Sequence, residues 1–211
     1  MSSRQLNDVV ARRRDAALAG HNGDQNAARS FLDDDDANVR ATALGALNRL
    51  GALTREELVR ASLDADPIMR RRACTESTTW KGSVGEPTDP HIAAAIAALL
   101  TDSDDSVVEV AAWACGERPP ASASTIEQLS KIAMSHDDGL CRESAVAALG
   151  AIGDAAGLPA ILAATEDKAT VRRRAVIALA PFDGPEVDAA LQRATTDRDW
   201  QVRQAAEDLS P

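Results

Sequence analysis

The chain has 211 residues, 45% of them hydrophobic and 27% charged, with a net charge of −10. That charge argues against a broad nucleic-acid-binding surface, which would be basic. Three cysteines without a CxxC pair argue against a disulfide scaffold.

No stretch reaches the roughly eighteen apolar residues of a spanning helix. The N-terminal MSSRQLNDVVARRRD lacks the apolar core of a signal peptide, so a single cytoplasmic domain without membrane contact is expected. Aromatics make up only 2% of the chain, with no Tyr, so Ala, Leu and Val must fill the core. Ala-rich stretches with few β-branched clusters predict an all-α protein whose helices pack closely.

In chain order, residues 4–19 predict a helix with Leu6, Val9, Val10 and Leu18 on its buried side. Residues 1–22 are thus expected to cap a stack of six helical hairpins over 23–211. The hairpins are phased on the apolar residue that opens each second helix: Val39, Met69, Val107, Cys141, Val171 and Val202. Four residues after each of these anchors stands Ala43, Ala73, Ala111, Ala145, Ala175 or Ala206. Together with Leu47, Leu149 and Leu179 at plus eight, these form one apolar helix face. At minus three stand Asp36, Asp66, Asp104, Asp138 and Asp199, with Lys168 the exception. Aspartate there is expected to cap the helix by accepting orphan N–H groups.

At plus one stand Arg40, Arg70, Arg142, Arg172 and Arg203, with Val108 the exception. At minus five stand Asp34, Asp64, Asp102, His136, Glu166 and Asp197. Arginine of one repeat and the minus-five acid of its neighbour predict a ladder of ion pairs. The first helices begin with capping-box spacing at Thr54–Glu57 and Thr125–Gln128. At the C-terminus Glu207, Asp208 and Ser210 replace apolar residues, which suits a last helix that serves as its own cap.

The stretches DDDDANVRATALGALNRLG, DSDDSVVEVAAWACGE and DKATVRRRAVIALA resemble the HEAT-like repeats of bacterial scaffold proteins and phycobilin lyase subunits. The resemblance runs from about residue 24 to 209 and implies a right-handed α-α superhelix, an α-solenoid, with its second helices on the concave surface. For function it implies little, because the same architecture serves scaffolds, lyase subunits, a metal hydroxylase and a DNA glycosylase family.

Departures from the repeat point to a candidate site. Repeat two carries CTESTTW, Cys74 to Trp80, where other second helices are apolar, and then the Gly/Pro-rich KGSVGEPTDP. A second loop, GERPPASAS, follows repeat three. Arg72, Thr75, Glu76, Thr79, Trp80, Trp113 and Glu117 are the candidate binding surface. Thr75 and Trp113 both stand six residues after their anchors, so stacking is expected to place them side by side. Trp113 and Glu117 also fit a structural role, since AAW-A-x-G-E is a common form of this helix.

His21, His91 and His136 stand singly without a neighbouring Glu, so no metal site is expected. Cys74, Cys115 and Cys141 read as small hydrophobes. No phosphate-loop, dinucleotide-binding or nucleophile-elbow motif occurs, so no catalytic residue or cofactor is assigned. These residues lead to a non-catalytic scaffold that binds a protein or peptide, with basic segments favoured by the acidic balance. The alternatives are an enzyme resembling HEAT-like alkylpurine DNA glycosylases, or a lyase-like subunit.

Overall fold

The computed structural model describes residues 3–81 and 89–209. Among these residues there are thirteen α-helices and three short 3-10 turns, with no strand. The chain forms two compact units, residues 1–99 and 100–211.

The first unit holds α1 (Ser3–His21), α2 (Gln25–Ser30), α3 (Ala37–Arg49), α4 (Arg55–Ser62), α5 (Pro67–Thr79) and α6 (Pro90–Ala98). Here α3 packs between α1 and α5, with α2 and α4 as the first helices of two hairpins. The second unit holds α7 (Asp105–Gly116), α8 (Ala123–Ser135), α9 (Gly139–Ile152), α10 (Leu158–Ala164), α11 (Ala169–Ala178), α12 (Pro185–Ala194) and α13 (Trp200–Leu209). In it α7, α9, α11 and α13 pack successively as a row of second helices.

The expected phasing holds. All six anchors and all six plus-four alanines are buried, as are Leu47, Leu149 and Leu179. The minus-three aspartates cap as expected: Asp36, Asp66, Asp104 and Asp138 each accept the backbone N–H two residues on, and Asp199 accepts that of Gln201. Lys168 at the same position makes no side-chain cap.

The ladder forms with one shift of register. Arg40 pairs with Asp64 at 2.8 Å and Arg172 with Asp197 at 2.8 Å. Arg142 takes Asp167 at 2.6 Å, not Glu166. Asp167 is the acid whose carboxylate also accepts the Lys168 N–H in the turn before α11. Each arginine donates as well to carbonyls of its own turn: Arg40 to Asp34 O, Arg142 to His136 O and Arg172 to Asp167 O. The side chain thus ties two successive turns together. The two exceptions, Val108 and His136, fall on one rung, so neither leaves an unmatched charge. Nδ1 of His136 accepts the Asp138 N–H, as Asp34, Asp64, Asp102 and Asp197 accept the N–H two residues on.

Two expectations require correction. First, Leu6, Val10 and Leu18 are exposed, whereas α1 turns Ala16, Ala19 and Gly20 inward. A Cβ on Gly20 would stand 2.6 Å from that of Ala46, so close approach to α3, not side-chain size, sets the buried face of α1. Second, α8 is capped by Ser122, whose Oγ accepts the Thr125 N–H at 3.2 Å. Thr125 is therefore in the third helical position, and the preceding loop is shorter than expected. The Thr54–Glu57 capping box is present in full. The Gly/Pro-rich loop expected after Trp80 falls mostly on 82–88, outside the described residues, as does Ser210.

Candidate functional site

The residues expected to form one surface are divided between the two units. Arg72, Thr75, Glu76, Thr79 and Trp80 belong to the first, on or just after α5. In this helix, five of the six residues from Thr75 to Trp80 are polar, and two of those are buried: Glu76 and Ser77. Ser77 occupies the plus-eight position that holds leucine in three other repeats, and its hydroxyl donates to Cys74 O at 2.6 Å.

Glu76 stands at plus seven. At that position Ala46, Ala148 and Ala178 meet a glycine of the preceding second helix, or of α1: Gly20, Gly116 and Gly150. Glu76 instead meets Asn48, whose Nδ2 donates to Glu76 Oε2 at 2.6 Å and to Thr79 Oγ1 at 3.0 Å. Arg72 Nε lies 2.6 Å from Glu76 Oε1. The Arg72 guanidinium rests on Gly45, where a Cβ would come within 1.7 Å of Nη2. A Gly–Ala contact has thus been replaced by a charged hydrogen-bonded cluster. Burying that carboxylate is tolerable only because arginine and amide surround it. Trp80 donates its indole N–H to Leu53 O at 2.9 Å. Thr75 and Thr79 are the exposed members of the group.

Trp113 and Glu117 belong to the second unit. Trp113 lies on α7, 40% exposed. Glu109 and Glu117 stand one helical turn to either side of it, on the same face. Glu117 is exposed and ends the helix, its N–H donating to Trp113 O at 3.1 Å. On α9, Ser144 donates to Glu109 O at 2.7 Å, which brings neighbouring Glu143 alongside the same stretch of α7. Arg174 of α11 reaches Glu143 only at 3.5 Å. Two carboxylates, Glu109 and Glu117, therefore share a helix face with an exposed indole, an arrangement suited to a cationic side chain, while Glu143 on the neighbouring helix is engaged by Arg174.

The cysteines offer no reactive thiol. Cys74 and Cys141 are fully buried, and burial pushes the Cys115 thiol up to about 12. Burial, with Asp138, Asp105 and Glu109 nearby, raises that of Cys141 to about 11. Neither is a nucleophile near neutral pH. No group of three His, Cys, Asp or Glu side chains converges as metal ligands among the described residues. No helix among them is long and apolar enough to cross a membrane.

The sequence reading overlooked Asn48 and Gly45, the partners of the buried cluster, and the exposed Trp200. Asn48 was findable, since it stands at plus nine, where Gly116 and Gly150 stand in other repeats. Trp200 precedes its anchor by two residues, outside the periodic columns.

Stacked α-hairpins with an arginine–aspartate ladder and capped second helices define an α-solenoid repeat protein. The chain belongs to the HEAT-repeat family, whose model matches residues 92–180 and 126–209, more than half the chain in all. Comparison with the curated proteins finds no match. Among solved structures it is similar to an engineered protein at 20% identity and TM-score 0.60, covering 87% of this chain and 94% of that one. It is similar to YibA of Escherichia coli at 20% identity and TM-score 0.60, covering 86% and 67% of the two chains. It also resembles a designed armadillo repeat protein in complex with the peptide (KR)4, at 17% identity and TM-score 0.61, covering 86% and 96%. At such identities the likeness concerns the fold.

Proposed function

We propose that this protein is a non-catalytic scaffold whose second-helix face, the concave one in the expected solenoid, holds a peptide segment bearing lysine or arginine. One observation carries the reading: the exposed indole of Trp113 stands between Glu109 and Glu117 on one face of α7. A cation over the indole face gains from the ring quadrupole, and the carboxylates add charge complementarity. The net charge of −10 raises the local concentration of basic partners and their rate of encounter. The designed armadillo neighbour, which takes a peptide of alternating lysine and arginine, provides a precedent for this ligand class on stacked helices. In the first unit, Thr75 and Thr79 are the exposed contacts proposed for the same role, with Arg72, Glu76 and Trp80 as the support beneath them.

Fluorescence anisotropy of a labelled (KR)4 peptide tests the reading. Binding should weaken with added salt, and Trp113→Ala should weaken it roughly fivefold or more. Glu109→Lys with Glu117→Lys should abolish it. Unchanged affinity in both variants would reject the proposal.

A further inference from the structure

Beyond the acidic patch on α7, the same face of the second unit ends in a groove of about 390 Å³ between α11 and α13. Its walls are Arg173 and Ile177 on one side and Trp200, Gln204, Asp208 and Leu209 on the other. Trp200 is 64% exposed and Ile177 39%. Single exposed hydrophobic residues need no explanation, but here two of them share one concave site. The groove is also rigidly backed. Leu209 packs on the cluster of Val176, Ala194, Val202, Ala205 and Ala206, so an incoming side chain meets a floor that is already ordered.

The charges in the groove are unequal. Asp208 accepts a hydrogen bond from Gln204 Nε2 at 2.8 Å. Arg173 is exposed, and no carboxylate pairs with it among the described residues. The α11 wall therefore offers an unpaired guanidinium beside an apolar slot, while the α13 wall repels anions. With its Nε2 engaged, Gln204 keeps its amide oxygen for a peptide N–H.

We infer that this groove is a second subsite, which takes an extended peptide segment presenting a large apolar side chain next to an Asp or Glu. The apolar group lies against Trp200, Ile177 and Leu209, and the carboxylate forms a forked pair with Arg173. Repulsion by Asp208 orients the segment with its acid towards α11. The inference rests on the reading of this face as a peptide platform. It adds a requirement that the basic patch cannot supply, namely an acidic position near the C-terminal end of the row.

The test uses the full chain and the labelled hexapeptide Gly-Ser-Phe-Glu-Ser-Gly, followed by anisotropy and by tryptophan emission. Wild type should bind it, with a change in emission that is lost in Trp200→Ala. Arg173→Glu should weaken binding at least about tenfold. The same variant should gain affinity for the peptide with Lys in place of Glu, which loss of structure would not produce. Both variants should keep (KR)4 binding within about twofold, since neither residue touches the Trp113 patch. Equal binding of both hexapeptides by wild type and Arg173→Glu, or none by wild type at millimolar concentration, overturns the inference. If (KR)4 binds while the hexapeptide does not, only the subsite falls. The reverse result removes the basic patch and leaves the subsite standing.

Discussion

Glu76 interrupts an otherwise apolar second-helix pattern in the sequence, and in three dimensions its carboxylate is buried. Five of the six residues from Thr75 to Trp80 are polar, yet the carboxylate at the centre is enclosed by Arg72 and Asn48. Glu76→Ala should cost about 1–3 kcal/mol, because it removes the carboxylate that accepts from the Asn48 amide and the counter-charge of the Arg72 guanidinium. Asn48→Gly should also destabilise, by removing the amide that holds Glu76. The double variant restores the Gly–Ala contact used at Gly116–Ala148 and Gly150–Ala178. Urea denaturation should therefore show a loss smaller than the sum of the single losses by roughly 1–2 kcal/mol. Strict additivity would mean that the two residues do not act as a pair.

At the level of elements, the row of second helices depends on how closely neighbouring backbones approach. A Cβ on Gly150 would lie 2.7 Å from the Ala178 Cα, and one on Gly116 would lie 2.8 Å from the Ala148 Cα. On an ordinary exposed helix, Gly→Ala stabilises by about 1 kcal/mol. Here the new methyl meets backbone, which cannot rotate away, and overpacking costs about 1–3 kcal/mol. The steric effect should win, so Gly150→Ala should lower the thermal midpoint. A raised midpoint would show that α9 and α11 separate at little cost. The same contact explains the scarcity of aromatics: alanine and glycine at these rungs leave no space for rings between second helices.

For the molecule as a whole, pH weighs two opposing effects. Arg142 and Arg172 hold the carboxyls of Asp167 and Asp197 below the usual aspartate range, by hydrogen bonding first and charge second, against the cost of burial. A carboxyl depressed in the folded state contributes its stability in full above the unfolded value, near 4, and loses it as pH falls through the folded value. Between pH 7 and about 5, protonation also relieves self-repulsion in a chain of net charge −10. Thermal midpoints should thus hold or rise slightly on going from pH 7 to 5, and then fall below about pH 4. Asp197→Asn should begin lower and show a shallower acid decline. An equal decline would remove the ladder as its source.

What could be settled from one sequence was whatever repeats. Six buried anchors, the alanines four residues later and the capping aspartates each recur, and each answers to a local requirement of one helix. The ladder too was visible, because arginine and acid stand at fixed offsets in successive repeats. Its register at Arg142 was not, since Glu166 and Asp167 are adjacent and only the course of the turn selects between them. Tertiary structure alone decided contacts between helices that no period encodes. Leu6, Val10 and Leu18 looked like the buried side of α1, but Ala16, Ala19 and Gly20 allow the closer approach and are the residues enclosed. Whether Glu76 faced solvent depended on Asn48, 28 residues away. The groove around Trp200 exists because α11 and α13 bring Arg173 and Ile177 beside it. Periodicity reports which face of a helix is apolar; what lies against that face is decided by packing between helices.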